Sequence, residues 1–525
     1  MKPQDAAKLS LKNVLKDGID DVFEKPFELD LIRSNQKLQE EIIKRITKCL
    51  NGKSFQALAI GSPIYMHRPK SKPFDYRRCA LLDPIDAMKY LALTLMAAEK
   101  IESSRIPPNR RRVFSYRFKP QGQNIFNQKL TYQAFQKRHS QKLNASKTPI
   151  IVYCDIANFY DRLNLHRLES VLHSIDIEPW LINTINELLF FWSNRDSYGL
   201  PVGGNASRIL AEAALIEVDN FLLARDVDFI RFVDDYRLFA PNIEIAHHWL
   251  VLLMERLSME GLSINSGKTS IVDGAELKKE REEETTGPVR IIAGYGGSIP
   301  TKFRQPSSRE KERLGDIDVD DAIEKAAEQT IITADQMKDL IKAIAYQERY
   351  EDIPRLIRLL KRYPQFLLFF VDMLIKNASE IPANLKNKTR DLLSNWFKKL
   401  ELQPEFLSIS FAKILTDDNY LDKDIVINYF RNMRRNAGAY VGRVVIEKLI
   451  PHLSRGEVLE LRNYYDRAND WERRAIIHMV NERLPDTEKR PWLKNVKNRE
   501  RKNLLSIEIF EKFGEKKKSK RSRKR

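Results

Sequence analysis

Three acidic side chains in two apolar segments are the strongest candidates for chemistry in this chain. Asp155 ends the segment IIVYCD, whose largely apolar residues from Ile150 onward predict a buried strand. Asp234 and Asp235 lie between the runs FIRFV and YRLFA, a pattern that predicts a β-hairpin with the acids in its turn. Adjacent carboxylates repel each other unless a cation holds them. The residues therefore predict a site for hard divalent ions, suited to activating a hydroxyl and neutralising a leaving pyrophosphate.

Each of these acids also has a simpler interpretation. Asp155 by itself is more typical of a helix cap. Adjacent aspartates recur at 20–21, 320–321 and 417–418, where the surroundings are polar and helix-like. Only the 234–235 pair interrupts strand-like apolar sequence on both sides, which is why we single it out.

Between the two acidic segments lies GLPVGGNASRILAEAALIEVDNFL, residues 199–222. Its first part predicts a glycine-rich turn that lets the backbone approach a ligand closely. The rest predicts a helix with an apolar face. An ordinary loop followed by a core helix would have the same pattern.

Taken in order, these blocks resemble the palm of reverse transcriptases. DIANFYD resembles their motif A, GLPVGGNAS motif B, FVDD motif C and GLSINSGKT (261–269) motif D. Upstream, RPKSKPFDYRRCALLDP (68–84) resembles the fingers segment that grips the incoming triphosphate. The residue sequence of motif B, together with a helical C-terminal half, most resembles the bacterial abortive-infection and antiphage-defence reverse transcriptases.

The resemblance assigns catalytic roles residue by residue. Asp155 and Asp234 match the two principal metal ligands, and Asp235 matches the second, less central acid of motif C. Ile156 would add a backbone carbonyl to a metal, and Lys268 matches a motif D lysine that protonates the pyrophosphate. The implied cofactor is a pair of Mg²⁺ ions, with Mn²⁺ as the alternative.

The resemblance also assigns nucleotide contacts. Tyr160 matches the steric gate, an aromatic ring beneath the sugar that would clash with a ribose 2′-OH. The basic residues expected at the triphosphate are Lys70, Arg77 and Arg78, and the motif B contacts are Pro201, Gly203 and Ser207. Two departures are notable, since Val202 replaces a Gln that touches the nucleotide in many members, and motif C is FVDD where YADD is commoner.

The function implied is a Mg-dependent DNA polymerase that adds dNTPs to a 3′-OH or a protein hydroxyl. The resemblance leaves open whether synthesis is RNA-templated or template-independent, and it implies a role in antiphage defence. Partners would be dNTPs, an RNA template or non-coding RNA, the DNA product and, as in some relatives, further copies of the chain. The alternatives are an RNA polymerase on the same palm and a basic RNA-binding scaffold without catalysis.

The rest of the chain suggests how these segments are organised. We expect an α+β fold, with right-hand fingers and palm followed by an all-α, HEAT-like or bundled domain. The predicted boundaries are 1–54 for a helical extension, 55–275 for fingers and palm, 276–321 for a charged, Gly-rich connector with a GYGG turn, 322–505 for the helical domain and 506–525 for a basic disordered tail.

Composition narrows the class of protein further. The 525 residues carry a net charge of +18, and the last ten, KKKSKRSRKR, contain no acid. A polyanion is the natural partner of such a chain, although a tail that is simply solvated is the alternative. Three cysteines without a CxxC pair exclude a zinc ribbon and a disulfide scaffold and fit a reducing compartment, here the cytoplasm. No apolar run is long enough for a membrane span.

The segment RRRVFSYRFK (110–119) predicts a strand with Phe114, Tyr116 and Phe118 on one face and Arg117 and Lys119 on the other. We expect the rings to lie in the core. The basic face would either follow a nucleic acid or be solvated.

Overall fold

The computed structural model describes residues 1–19, 25–70, 75–144, 149–283, 302–399, 404–433, 438–500, 503 and 505–506. The GYGG turn at 294–297 and almost all of the basic tail lie outside this part of the chain. The chain divides into two compact units. The N-terminal unit comprises Met1–Tyr65 and Cys79–Tyr295, and the C-terminal unit comprises Met66–Arg78 and Gly296–Arg525.

Eight strands lie in the described part of the first 283 residues. They are β1 (Ile64–Pro69), β2 (Tyr76–Leu81), β3 (Phe118–Gln121), β4 (Asn124–Phe126), β5 (Ile150–Asp155), β6 (Phe229–Phe232), β7 (Asp235–Ala240) and β8 (Ser270–Asp273). The first two pairs of strands form two-stranded sheets, and the last four strands form one sheet in the order β6-β7-β5-β8. Every neighbouring pair in this four-stranded sheet is antiparallel.

Thirteen α-helices lie in the same described part of the chain. They are α1 (Pro3–Asp17), α2 (Phe27–Ser34), α3 (Gln36–Asn51), α4 (Phe55–Leu58), α5 (Pro84–Ser104), α6 (Tyr132–Leu143), α7 (Phe159–Arg162), α8 (Leu165–Ser174), α9 (Pro179–Trp192), α10 (Asn205–Ala214), α11 (Ile216–Ala224), α12 (Ile243–Met259) and α13 (Gly274–Glu283). The longest, α5, packs against α1 and α10. It begins where Asp83 accepts a hydrogen bond from the Ile85 amide and Pro84 takes the first helical position, a start that needs no amide hydrogen.

Both faces of the central strand β5 are buried. Ile151 and Tyr153 of β5 pack with Phe135 of α6, while Val152, between them in the strand, is fully buried on the opposite face. A strand covered on both sides reads as a continuous apolar run, as IIVYC does. Because β5 is covered on both faces, its one acidic side chain lies where the strand ends, and Asp155 is the last residue of β5.

From residue 302 onward, the described part of the C-terminal unit is built from helices. They are α14 (Ser308–Gly315), α15 (Val319–Glu328), α16 (Ala334–Tyr346), α17 (Ile353–Arg362), α18 (Leu367–Lys376), α19 (Ala383–Lys398), α20 (Glu405–Leu415), α21 (Lys423–Met433), α22 (Ala439–Leu449), α23 (Arg455–Arg462), α24 (Asp470–Arg483) and α25 (Asp486–Arg499). Helices α16, α18, α20, α22 and α24 pack in succession, and so do α15, α17, α19 and α21. This two-layer stacking is the arrangement of a helical solenoid.

The predicted fold class, a mixed palm followed by a large helical region, is confirmed. The domain boundaries stay a prediction. None of the helices in the described ranges combines the length and apolarity needed to cross a bilayer.

The strand predicted over 110–119 is wrong. Only β3 forms there, and it starts at Phe118; the chain turns at Tyr116, whose φ of +42° is incompatible with a strand. Phe114 is buried in the core as expected. Arg117, however, does not face water: its side chain is 1% exposed and pairs with Glu102 at 2.6 Å. A charge buried in this way needs a partner of opposite sign, and Glu102 is that partner.

Candidate active site at the end of the palm sheet

Two chain segments meet at the end of β5. Strands β5 and β7 are antiparallel, and their register sets Asp155 directly opposite Asp235. One residue further, the Ile156 amide donates a hydrogen bond to the carbonyl oxygen of Asp234 at 3.1 Å. The three acids that lie far apart in the sequence are therefore neighbours at one edge of the sheet.

The hairpin that carries Asp234 has a two-residue turn. Strand β6 ends at Phe232 and β7 begins at Asp235, so Val233 and Asp234 make the connection. Val233 has a φ of +57°. A β-branched residue rarely adopts this left-handed conformation, and its cost is about 1–3 kcal/mol. Backbone strain of this size next to a candidate catalytic acid is typical of functional turns.

The charges at this edge do not balance. Burial, and next the negative charge of Asp155, raise the pKa of the Asp234 carboxyl to about 6. One unit of pKa corresponds to about 1.4 kcal/mol, so ionisation of Asp234 is less favourable than that of an ordinary aspartate. A positive ligand at this point would reverse that balance.

Lys268 supplies part of the missing positive charge. Its Nζ lies 3.2 Å from Oδ2 of Asp155, and its side chain is 37% exposed. It sits in a short 3₁₀ helix, Ser266–Lys268, which begins right after Asn265. The Asn265 amide donates to the Asp155 carbonyl at 2.7 Å, and its side-chain Nδ2 lies 3.4 Å from Asp155 Oδ2. Asn265 was not predicted from the sequence; its position in GLSIN, three residues before Lys268, was the available signal.

Asp235 differs from the other two acids. Its Oδ2 lies 3.2 Å from Nη2 of Arg237, a residue that is itself buried. The carboxylate of Asp235 is thus already neutralised by the protein. This arrangement agrees with a less central role, although the assignment of Asp235 as a ligand stays a prediction.

The donor set at this edge fits a hard divalent ion. Asp155 and Asp234 offer carboxylate oxygens, and Mg²⁺ is typically bound by one or two carboxylates together with substrate phosphates. Within the described ranges, no group of three or more His, Cys, Asp or Glu side chains lies close enough to form a metal site by itself. Two carboxylates, Asp155 and Asp234, suit an ion that shares its coordination with a substrate.

Comparison with known proteins identifies the region around these acids. Residues 96–292 match the family model described as reverse transcriptase (RNA-dependent DNA polymerase). The chain contains a reverse transcriptase domain. The match includes Asp155, Asp234, Asp235 and Lys268. No curated protein matches the chain.

Solved structures with some similarity include two telomerases. Telomerase from Candida albicans, in complex with a TWJ fragment of telomeric RNA, is 12% identical over 65% of this chain and 64% of that chain, with a TM-score of 0.31. Apo telomerase from Candida tropicalis is 12% identical over 82% of this chain and 75% of that chain, with a TM-score of 0.28. The chain thus spans less than two thirds of the first of these proteins.

The glycine-rich turn of the reverse transcriptase domain packs against the segment after β5. The Leu200 amide donates to the carbonyl of Tyr160 at 2.8 Å. Gly199 has a φ of +100° and Gly203 a φ of +128°, conformations that favour glycine, and a Cβ on Gly199 would lie 3.4 Å from the Asp161 carbonyl. The turn thus brings predicted nucleotide contacts next to the predicted steric gate.

The other predicted motif B residues are buried. Pro201 is buried, and Ser207 is fully buried with its hydroxyl 3.2 Å from the Tyr90 hydroxyl. In this conformation Ser207 contributes to the packing of α10 on α5. A direct contact between Ser207 and a nucleotide stays a prediction.

The predicted triphosphate contacts belong to the C-terminal unit. Lys70 follows β1, and its Nζ lies 3.0 Å from Oδ1 of Asp75. Arg77 and Arg78 lie on β2 and are exposed. Their contact with a triphosphate stays a prediction.

The structure also contains a buried ionic network beneath the hairpin, which was not predicted from the sequence. Arg231 of β6 pairs with Asp219 of α11 at 2.6 Å and with Glu212 of α10 at 2.9 Å. Burial lowers the pKa of Arg231, but the two carboxylates outweigh it and raise that pKa overall. For Glu212 burial acts in the other direction and raises the pKa, but the charges of Arg231 and Arg105 outweigh it and lower that pKa overall. Acidic residues within the otherwise apolar AEAALIEVDNFL were the signal for buried pairing.

Proposed function

We propose that this chain is a divalent-metal-dependent DNA polymerase that extends a primer hydroxyl with dNTPs under the direction of RNA. The observation that carries the proposal is that the end of β5 lies beside the β6–β7 turn, where the Ile156 amide donates a hydrogen bond to the Asp234 carbonyl at 3.1 Å. Support comes from the reverse transcriptase domain. Magnesium bound at such a site supplies activation of the attacking hydroxyl and neutralisation of the leaving pyrophosphate.

The chain's own residues take three roles in this proposal. Asp155 and Asp234 would hold the divalent ion, which would neutralise the nucleotide phosphates beside the primer end. Lys268, whose Nζ is 3.2 Å from Asp155, donates a proton to the departing pyrophosphate. Tyr160 lies against the sugar and excludes a 2′-hydroxyl.

Removing the two central carboxylates tests the proposal. The isosteric double variant Asp155→Asn with Asp234→Asn should lose at least about 10³-fold in dNTP incorporation by the full chain, since several kcal/mol of metal stabilisation disappear. The assay uses labelled dNTPs, a primed RNA template and Mg²⁺ or Mn²⁺. The matched control, Asp417→Asn with Asp418→Asn, changes an aspartate pair in which Asp418 is 92% exposed and should retain activity. Unchanged incorporation by the first variant would mean that the metal site lies elsewhere, whereas a wild-type chain without incorporation would favour the non-catalytic RNA-binding scaffold.

The choice of sugar separates the two polymerase interpretations. Tyr160 favours dNTPs, so labelled NTPs should be incorporated far more slowly by the same preparation. Dominant use of NTPs would favour the RNA polymerase. Sequencing the nucleic acid that copurifies with the chain would identify both the template and the primer, including a product joined to a protein hydroxyl.

We further propose that this synthesis serves antiphage defence in the bacterial cytoplasm. The support is the resemblance of the GLPVGGNAS block and of the helical C-terminal half to defence-associated reverse transcriptases. Cells that express the wild-type chain should plate phage at lower efficiency than cells that express the Asp155→Asn, Asp234→Asn variant at equal protein level. Equal plating across a broad phage panel would contradict the defence role and leave the polymerase proposal standing.

A further inference from the structure

The carbonyl before the candidate catalytic acid is held by a buried arginine. Nη1 of Arg231 donates to the carbonyl oxygen of Val233 at 2.8 Å. Arg231 is 0% exposed. Val233, at φ +57°, has a left-handed backbone conformation that is unfavourable for a β-branched residue. A strained peptide keeps its geometry only when its surroundings fix it, and this hydrogen bond is a direct restraint on that peptide.

The rest of the guanidinium is fixed in turn by two acids. Nε donates to Asp219 at 2.9 Å, and Nη2 donates to Asp219 at 2.6 Å and to Glu212 at 2.9 Å. The planar fork of arginine can meet all these acceptors together, whereas a lysine ammonium is a single point charge. The direction of Nη1 toward Val233 follows from this pairing.

The network also ties both strands of the hairpin to the helices beneath it. The Tyr236 hydroxyl donates to Asp219 at 2.9 Å, and Tyr236 follows Asp235 in β7. The main-chain amide of Arg231 donates to the Arg112 carbonyl at 2.8 Å, which fixes β6 from the other side. The turn thus has rigid supports before and after Asp234.

We propose that Arg231 is the positioning residue of the site: it anchors the strained Val233 peptide to Asp219 and Glu212 and thereby sets the orientation of Asp234. The Arg231 side chain has no exposed surface, so its role is to position the turn and not to contact a ligand. The inference rests on the proposed function for its consequence in catalysis, but the anchoring itself can be measured without activity.

The variant Arg231→Lys keeps the charge that Asp219 and Glu212 need and removes the hydrogen bond to Val233. We expect kcat for dNTP incorporation to fall at least about tenfold with little change in KM for dNTP, since small misplacements of reacting groups cost this much or more. The matched control is Arg105→Lys. Arg105 is also buried and pairs with the same Glu212 at 2.5 Å, but it donates to the carbonyls of Ser115 and Tyr116 instead of the turn. The control should lose less than about threefold in kcat.

Glycine at position 233 provides a second test. Glycine adopts a positive φ readily, so a turn carrying Val233→Gly depends less on the anchor. The double variant Arg231→Lys with Val233→Gly should recover part of the lost kcat. A general destabilisation of the fold by Arg231→Lys would not be rescued in this way.

Hydrogen exchange measures the anchor independently of activity. The Ile156 amide is protected by its bond to the Asp234 carbonyl, so it should exchange faster in Arg231→Lys than in the wild type or in Arg105→Lys. Tyr236→Phe, which removes one hydrogen bond to Asp219, is a milder variant expected to show the same change to a smaller extent and stands in if Arg231→Lys does not fold. Equal losses of kcat and equal Ile156 exchange in the lysine variants of Arg231 and Arg105 would overturn the inference. An inactive wild type would instead contradict the proposed function, while the exchange result would still decide the anchoring.

Discussion

At the scale of single residues, Tyr160 connects two parts of the candidate site. It follows β5 within α7, and its carbonyl accepts the Leu200 amide at 2.8 Å, which joins it to the glycine-rich turn. Burial raises the pKa of the Tyr160 phenol well above its usual value, so the ring stays neutral at physiological pH. A neutral ring whose backbone is joined to the glycine-rich turn is suited to excluding a hydroxyl by its bulk.

Shortening this side chain should relax the choice of sugar. In Tyr160→Ala the preference for dNTP over NTP, measured as the ratio of kcat/KM values, should fall by at least about tenfold because the clash with a 2′-OH is removed. Tyr160→Phe keeps the ring and should keep the ratio within about threefold of wild type. If the alanine variant discriminates as sharply as the phenylalanine variant, another residue selects the sugar.

At the scale of secondary-structure elements, helix α20 contains an acid in an unfavourable place. Glu405 is its first residue, where the positive end of the helix dipole favours a carboxylate. Burial acts in the opposite direction and prevails, raising the pKa of the Glu405 carboxyl to about 7. The folded chain therefore holds a proton here that an unfolded chain releases near the ordinary glutamate pKa of 4.5.

The stability of this helix should consequently depend on pH. Between the unfolded pKa near 4.5 and the folded pKa near 7 the native state binds more protons, so its stability falls as the pH rises through this window. Glu405→Gln, which cannot ionise, should match the wild type at pH values below about 4.5 and be more stable at values above about 7. Hydrogen exchange of the α20 amides in the full chain, compared on both sides of the window, measures the difference. A stability gain that is independent of pH would show that ionisation of Glu405 is not the cause.

At the scale of the whole molecule, charge is the dominant feature. The net charge of +18 favours nucleic-acid phosphates through release of counterions. The stretch from Lys516 to Arg525 contributes eight basic residues and no acid, so it is the densest positive segment of the chain.

Neutralising this tail should weaken RNA binding most at low salt. In the test variant, Gln replaces the eight Lys and Arg residues of 516–525 and the length is unchanged. Its affinity for single-stranded RNA should depend less steeply on salt, with the slope of log K against log salt reduced by about 0.7 for each phosphate that the native tail neutralises. Fluorescence anisotropy over a salt series provides the slope. Identical slopes for the wild type and the tail variant would mean that the tail is only solvated. The control is the Asp155→Asn, Asp234→Asn variant, which keeps the tail and should bind RNA with the wild-type slope or a steeper one.

Local sequence determined the elements that carry the candidate site. The apolar run before Asp155 predicted β5, and the apolar runs around Asp234 and Asp235 predicted the β6–β7 hairpin, since strands buried on both faces and tight turns are encoded by neighbouring residues. The helical class of the C-terminal half was likewise predicted from the sequence, and Pro354, Pro382 and Pro404 lie at the starts of α17, α19 and α20, where a missing amide hydrogen costs little.

Only the tertiary structure decided which charges meet. Arg117 and Arg231 are alike in sequence, each a cation among aromatic residues, yet both are buried, one against Glu102 and the other against Asp219 and Glu212. The division between Asp234, with its raised pKa, and Asp235, neutralised by Arg237, also appears only in the folded chain. The period of a strand or helix depends on neighbouring residues in the sequence, whereas ion pairing depends on the distance between charges in space. The strands could therefore be predicted from the sequence, but the partners of their charges could not.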